Sequence, residues 1–209
     1  MIQPAQLTRE SSMGREGINP GRRRFLVAAT SVVGGAGALG AAVPFVGSWS
    51  PGAKAKAAGA PVRINIGKLQ VGEQIVAEWR GQPVFILRRG PAILAGLDKV
   101  APQLADPQSE DSLQPDYVDP QLRSIRPDIL LVVGICTHLG CSPTFRPQVA
   151  PVDLGPEWVG GYFCPCHGSR YDLAGRVYRA QPAPLNLAVP PHRYESAEII
   201  VIGLDQERA

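Results

Sequence analysis

The sequence predicts an all-β domain that is preceded by one N-terminal transmembrane helix. From Val62 onward, short β-branched or alternating apolar runs recur, which is the pattern of strands in an antiparallel β-sandwich. The 21 prolines and 23 glycines suit a loop-rich β structure better than a helical one. Ahead of this part of the chain, the 22 residues from Phe25 to Val46 include no charged side chain.

The N-terminal segment combines an export pattern with a predicted anchor. Arg22 and Arg23 begin the twin-arginine pattern R-R-x-F-L directly before the apolar run. A helix of that length extends roughly 33 Å, enough for the hydrocarbon core of a bilayer. Basic residues are more numerous before the run than shortly after it, which predicts a cytoplasmic N-terminus and a periplasmic remainder. We expect a leader over residues 1–24 and an anchor over residues 25–47, and cleavage of the leader stays open.

The rest of the chain is predicted to be a hinge and one domain. Residues 48–61 are small, alanine-rich and without apolar periodicity, so they are predicted to form a flexible hinge linker before a domain over residues 62–209. One helix is predicted from Pro91 to Leu104, and residues 105–127 are predicted to be a surface excursion because they are rich in Asp, Pro and Gln. The predicted strands are Val62 to Ile66, Ile75 to Trp79, Val84 to Arg88, Ile129 to Ile135, Gly161 to Phe163, and Ile199 to Ile202.

Composition argues against several other functions. The net charge of +3 comes largely from the leader, and no basic stripe is interleaved with aromatics, which argues against nucleic-acid binding. The sequence has neither a nucleotide-binding glycine fingerprint nor a Ser/His/Asp motif. We therefore expect the chain to catalyse no reaction alone.

Two short clusters hold all four cysteines and two of the three histidines. They read C-T-H-L-G-C over residues 136–141 and C-P-C-H-G-S over residues 164–169. Such a concentration indicates a metal site. Two thiolates and two imidazoles suit either a structural zinc site or a 2Fe-2S cluster with two cysteines on one iron and two histidines on the other. Each cluster follows a predicted strand, and the distant His192 is predicted to be a surface histidine.

The two clusters, with the tyrosine that follows the second in C-P-C-H-G-S-x-Y, resemble the two boxes of the Rieske iron–sulfur proteins. The resemblance implies a Rieske-type antiparallel β-sandwich with an inserted cluster-binding lobe over about residues 136–184. It also implies one 2Fe-2S cluster. Its ligands would be the thiolates of Cys136 and Cys164 and the imidazoles of His138 and His167. Imidazole ligands raise the potential from about −400 mV to roughly −150 to +300 mV.

The same resemblance assigns the surroundings of the cluster. It implies a disulfide between Cys141 and Cys166, which persists in the periplasm and agrees with export. Ser169 and Tyr171 match hydroxyls that donate to cluster sulfur and raise the potential. The other matches are His167 as the ligand that faces the quinol, Leu139 as the leucine that shields the cluster, and Pro182, Ala183 and Pro184 as the proline loop, where Gln181 replaces the usual glycine.

Together with the anchor and the linker, these features resemble the Rieske subunits of bacterial ubiquinol:cytochrome c oxidoreductases, the cytochrome bc complexes. That family implies transfer of one electron from ubiquinol to a c-type cytochrome, coupled to proton translocation, in a domain that moves about its linker. It implies as partners ubiquinol, cytochrome b, a membrane-bound c-type cytochrome, the inner membrane and a dimeric complex. The small subunit of arsenite oxidase, a plastoquinol-oxidising relative, an oxygenase ferredoxin and a structural zinc module stay open as alternatives.

Overall fold

The computed structural model describes residues 19–53, 55 and 59–205. The chain divides between Gly52 and Ala53 into an N-terminal unit and a C-terminal unit. Most of the predicted leader, residues 1–18, lies outside the described residues, as do linker positions 54 and 56–58.

The N-terminal unit contains one long helix, α1, over Pro20–Gly47. Asn19 caps it, since its side-chain oxygen accepts hydrogen bonds from the backbone N–H groups of Gly21 at 2.9 Å and Arg22 at 3.3 Å. Because α1 begins before the predicted anchor, Arg22 lies in its first turn and not ahead of it. With a mean hydropathy of 1.8 over its most apolar window, α1 is long and apolar enough to cross a membrane, by length and composition only.

The C-terminal unit is built from nine short strands in three antiparallel sheets. The first sheet has the order β1-β9-β8, the second β2-β3-β4 and the third β5-β6-β7. The strands in chain order are β1 (Val62–Asn65), β2 (Gln74–Trp79), β3 (Gln82–Arg88), β4 (Ile129–Val133), β5 (Thr144–Arg146), β6 (Gly161–Phe163), β7 (Arg170–Tyr171), β8 (His192–Tyr194) and β9 (Ile199–Ile202).

All six predicted strands are present, which confirms the β architecture. The three additional strands, β5, β7 and β8, are two or three residues long and too short to show an apolar period. The predicted helix is α2 over Pro91–Val100, and a 3₁₀ turn over Ala101–Gln103 continues it. The helix prediction therefore holds, with the last turn in the tighter form.

The second sheet has one core on each face. On one face, Ile86 and Leu131 pack with Ile200 of the first sheet, which makes the predicted sandwich. On the other face, Leu130 packs in the same core as Tyr162 of the third sheet. Because both faces are covered, every residue of β4 is buried, and its sequence contains only isoleucine, leucine and valine. Full burial of each such side chain contributes about 1.5–3 kcal/mol.

Residues 105–127 form no helix or strand, but only part of the segment is the surface excursion that its composition predicted. Arg123 is 0% and Ser124 2% exposed. The Arg123 guanidinium donates to the carbonyl oxygens of Leu187 at 2.5 Å and Gly175 at 3.3 Å. The prediction was wrong for these two buried side chains, because polar composition normally indicates solvent contact, whereas Arg123 finds its hydrogen-bond partners in the interior.

His192 is buried as well, so the prediction of a surface histidine was also wrong. Its side chain in β8 is 2% exposed, and its Nδ1 lies 2.9 Å from the Pro190 carbonyl oxygen. The rings of Tyr117 and Tyr194 pack against it edge-on, each with a centroid separation of 6.4 Å. Burial lowers the pKa of the imidazole because the charged form would lose its hydration.

Candidate metal centre

The first cysteine cluster forms a closed turn after β4. The Cys136 N–H donates to the Cys141 carbonyl oxygen at 2.7 Å, and the Gly140 N–H donates to the Cys136 carbonyl oxygen at 3.0 Å. Gly140 has a φ of 83°, in the left-handed region that favours glycine. These hydrogen bonds hold the two ends of the loop together, so the end of β4 determines where the loop lies.

The second cluster repeats this geometry after β6. The Cys164 N–H donates to the Ser169 carbonyl oxygen at 2.8 Å, and the Gly168 N–H donates to the Cys164 carbonyl oxygen at 2.9 Å. Gly168 has a φ of 78°. The two loops therefore have the same hydrogen-bond pattern, and each is anchored at the end of a strand.

The structure pairs the predicted ligands two by two, thiol with thiol and imidazole with imidazole. Cys136 and Cys164 are buried, and are 2% and 1% exposed. The imidazole rings of His138 and His167 meet edge to face, with centroids 4.7 Å apart and an interplanar angle of 84°. His138 is half-buried and His167 is exposed. The sulfurs thus lie inward, and one imidazole reaches the surface of the lobe.

The chemistry of these four residues fits the predicted group. His138 Nδ1 is buried and has no hydrogen-bond partner among the described residues. Burying a ring nitrogen without a partner costs free energy, so this atom is poised to bind an ion. Thiolates and imidazoles are the donors that a mixed-ligand 2Fe-2S cluster uses.

The protein environment acts on the Cys164 thiol in two directions. Burial raises the pKa of this thiol, and the neighbouring Cys136 raises it further. The backbone N–H groups of Cys166 and His167 lower the pKa because they favour the thiolate. Iron binding at Cys164 would therefore displace a proton from a thiol that burial favours in its neutral form.

A disulfide joins the two ligand loops. Cys141 and Cys166 are bonded, with a Cα–Cα distance of 6.7 Å and a sequence separation of 25. Closing such a loop contributes roughly 3–4 kcal/mol in the chain-entropy model. The sulfurs of Cys141, Cys166 and Cys164 lie within 4.8 Å of one another, but the first two are bonded and are not free thiolates. This proximity places the disulfide beside the predicted ligand Cys164.

Two hydroxyl side chains lie close to the loops. The Tyr171 hydroxyl donates to the Cys136 sulfur at 3.2 Å and accepts a hydrogen bond from the Thr137 N–H at 3.2 Å. Ser169 is fully buried, and its Oγ accepts a hydrogen bond from the Ala183 N–H at 3.1 Å. Burial raises the pKa of the Tyr171 phenol, and the nearby sulfur raises it further, so the phenol stays a donor.

The proline loop is tied to both ligand loops. Ala183 is buried between the exposed Pro182 and Pro184. Thr137, which the sequence reasoning did not single out, donates from Oγ1 to the Leu185 carbonyl oxygen at 2.7 Å. The sequence offered one signal for Thr137, namely its position between the predicted ligands Cys136 and His138.

The replacement of glycine by Gln181 is also explained by the backbone. The left-handed φ near the proline loop, 54°, falls at Ala180, and Gln181 is not among the described residues with a positive φ. Gln181 therefore needs no glycine-like conformation.

The outer surface of the lobe combines a polar ring with an apolar side chain. Leu139 is 70% exposed, and it directly follows His138 in the first loop. The exposed leucine makes this part of the surface apolar, and the neighbouring imidazole can form hydrogen bonds. Such a surface suits contact with another molecule.

The N-terminal and C-terminal parts of the chain match two family models. Residues 13–52 match the TAT signal of the ubiquinol–cytochrome c reductase Fe-S subunit. Residues 116–191 match the Rieske [2Fe-2S] domain, and this range includes both ligand loops and the proline loop.

Curated relatives match over nearly the whole chain. The ubiquinol-cytochrome c reductase iron-sulfur subunit of Allochromatium vinosum is 54% identical over 197 residues, which cover 94% of this chain and 95% of the relative. The subunit of the same name from Bradyrhizobium diazoefficiens is 37% identical over 186 residues, 88% of this chain and 96% of the relative. The mitochondrial cytochrome b-c1 complex subunit Rieske of Theropithecus gelada is 36% identical over 205 residues, 97% of this chain and 65% of the relative.

These similarities decide between the alternatives that the sequence left open. They favour a subunit of a cytochrome bc oxidoreductase over an arsenite oxidase subunit or a soluble ferredoxin. They also confirm one Rieske 2Fe-2S cluster as the cofactor, where a structural zinc ion had been the alternative. The chain belongs to the family of Rieske iron–sulfur subunits of ubiquinol–cytochrome c reductase.

Proposed function

We propose that this chain oxidises ubiquinol in a bacterial cytochrome bc complex and passes the electron to a membrane-bound c-type cytochrome, coupled to proton translocation. The main support is the pair of imidazole rings, 4.7 Å apart, in the same two loops as two buried thiols. When bound, the 2Fe-2S cluster supplies a one-electron redox centre in the range of roughly −150 to +300 mV.

In this proposal, Cys136 and Cys164 hold one iron and His138 and His167 hold the other. The buried sulfurs occupy the inner side and the imidazoles the outer side of the site. Two neutral imidazoles in place of two thiolates remove two negative charges, which makes an added electron easier to accept. The unpartnered Nδ1 of His138 is the nitrogen that would bind the metal.

His167 takes the proton from the quinol hydroxyl in this proposal. Its ring is exposed, so its outer nitrogen can accept a hydrogen bond from a quinol that docks on the lobe. With the inner nitrogen bound to oxidised iron, the outer nitrogen would be the atom that accepts the proton. The exposed Leu139 covers part of the contact and excludes water from it.

The proposed setting is the bacterial inner membrane. In this proposal the N-terminus lies in the cytoplasm and the Rieske domain in the periplasm, where the Cys141–Cys166 disulfide would persist. The twin arginines and the apolar helix α1 support this orientation. Cytochrome b is the partner on which the lobe meets ubiquinol, within a dimeric complex. The linker over residues 48–61 lets the domain travel between cytochrome b and the c-type cytochrome.

The experiment is purification of the tagged full chain from membranes, with metal analysis and electron paramagnetic resonance of the reduced protein. We expect iron, a Rieske signal and co-purified b- and c-type haems. His167→Gln should lose the signal and quinol:cytochrome c turnover, because the ring is a ligand. His192→Gln is the matched control: His192 is buried and lies in β8, outside both ligand loops, so that variant should keep the signal and the turnover. Zinc in place of iron, or a Rieske protein without cytochromes, contradicts the proposal.

A further inference from the structure

The interior of the domain contains more arginines than carboxylates. Arg89, Arg123 and Arg176 are 2%, 0% and 3% exposed. Buried arginine is rare and is normally paired with a carboxylate. Among the described residues, only two carboxylates are buried, those of Asp172 and Asp106, which are 0% and 8% exposed. Three guanidiniums and two carboxylates leave a net buried charge of +1.

Arg89 hydrogen-bonds only to neutral groups among the described residues. Its Nε donates to the Pro127 carbonyl oxygen at 3.0 Å, and its Nη atoms donate to the Leu122 carbonyl oxygen at 2.9 Å and the Ser124 hydroxyl at 2.6 Å. A longer bond of 3.4 Å reaches the Leu173 carbonyl oxygen. The guanidinium is therefore solvated by the protein and is not neutralised by an adjacent carboxylate.

Arg123 is held in the same way. It donates to the carbonyl oxygens of Leu187 at 2.5 Å and Gly175 at 3.3 Å, and to the Gln114 amide oxygen at 3.1 Å. Burial lowers the pKa of both Arg89 and Arg123 to about 10, because the charged form loses hydration. Both side chains therefore remain positively charged at neutral pH.

Asp172 is the carboxylate that partly balances these charges. Its Oδ2 pairs with Arg176 at 2.7 Å, and its Oδ1 accepts hydrogen bonds from the backbone N–H groups of Ala174 at 2.9 Å and Arg176 at 2.8 Å. Its negative charge also favours the charged forms of Arg89 and Arg123. The charge of Asp106 likewise favours the charged form of Arg123. We call these five residues, Arg89, Arg123, Arg176, Asp172 and Asp106, the buried charge cluster.

The buried charge cluster adjoins the candidate metal centre. Asp172 directly follows Tyr171, whose hydroxyl contacts the Cys136 sulfur. Arg89 and Arg123 reach the carbonyl oxygens of Leu173 and Gly175 in the turn that Asp172 begins. Leu173 packs in the same core as the two buried thiols. Apolar protein, not solvent, therefore separates the charges from the predicted iron ligands.

We propose that the net positive charge of the buried charge cluster raises the midpoint potential of the 2Fe-2S cluster. This inference rests on the proposed function, since it needs the ligands to lie in the two loops. Reduction adds one negative charge, and a buried positive charge nearby stabilises that charge because the interior screens it weakly. At an effective dielectric of about 20, a unit charge about 15 Å away still changes an ionic equilibrium several-fold.

Two substitutions of opposite charge test this role in the full chain. Arg123→Gln should lower the equilibrium constant for one-electron reduction at least threefold, about 28 mV at 59 mV per tenfold. Asp172→Asn should raise that constant at least threefold, because it removes a buried negative charge while its amide oxygen can still accept the backbone N–H bonds. Arg126→Gln is the control, since Arg126 lies in the same segment but is more exposed and pairs with Asp128.

The readout is redox titration of the paramagnetic signal in membranes. Arg123→Lys keeps the charge but loses the guanidinium geometry, so it should retain most of the wild-type potential, whereas a merely structural role predicts the same shift as Arg123→Gln. If Arg123→Gln does not assemble, Asp172→Asn and Asp106→Asn must still raise the potential. Unchanged potentials, or a fall in the aspartate variants, overturn the inference. Absence of a Rieske signal in the wild type would instead contradict the proposed function.

Discussion

Removal of the Tyr171 hydroxyl tests how the hydrogen bonds around the centre set the potential. This hydroxyl donates to the Cys136 sulfur at 3.2 Å in a buried site. A hydrogen bond to a charged group contributes about 1.5–3 kcal/mol, and only the part gained on reduction changes the potential. If that part is about 1 kcal/mol, Tyr171→Phe should lower the midpoint potential by about 40 mV, because 1.4 kcal/mol corresponds to 59 mV for one electron.

The assay is a redox titration of the paramagnetic signal in membranes, with thermal unfolding of the purified protein beside it. Tyr171→Phe also leaves the Thr137 N–H without its acceptor, which should cost about 1 kcal/mol of stability. Tyr162→Phe is the matched control: Tyr162 is fully buried opposite Tyr171 in the sheet, and its hydroxyl has no partner among the described residues. An unchanged potential in Tyr171→Phe, with the signal intact, would refute the reasoning.

Three further predictions concern other parts of the chain. Prolines at Ala55 and Ala57 should slow quinol:cytochrome c turnover without changing the cluster's signal, because they restrict domain movement; full turnover in an assembled complex argues for a spacer only. Burial lowers the pKa of His192, so the unfolded chain binds the proton more tightly and stability falls as pH drops below about 6.5. His192→Gln should flatten that fall in melting temperature, and an equally steep fall would show that another group causes it. Lysines at Arg22 and Arg23 should leave the domain in the cytoplasm, whereas normal periplasmic protease sensitivity of that variant contradicts twin-arginine export.

The sequence predicts the parts of this fold that are local. The run over Ile129 to Val133 is apolar at every position, and the structure shows why, since both faces of β4 are covered. The loop pattern is equally local, because Gly140 and Gly168 take a conformation that glycine favours. The two residues of β7 could not be predicted, because two positions cannot show a period.

Hydrogen bonding of buried polar side chains to groups distant in sequence could not be predicted. Arg123 lies in a segment whose composition suggests solvent, and its acceptors at Gly175 and Leu187 are 52 and 64 residues away in sequence. His192 is similar, since a single histidine between proline and arginine gives no sign of which way it points. Only the tertiary fold brings hydrogen-bond partners to these polar groups in the interior.

The second sheet has a consequence for how the domain comes apart. Its strands β3 and β4 contribute side chains to both cores, whereas β2 contributes to only one, so opening either core uncovers one face of β3 and β4. Neither half can melt alone without exposing leucine side chains of β4, and the domain should therefore unfold in one transition. In native-state hydrogen exchange, the amide protons of β3 and β4 should exchange most slowly, because only global unfolding exposes them to solvent.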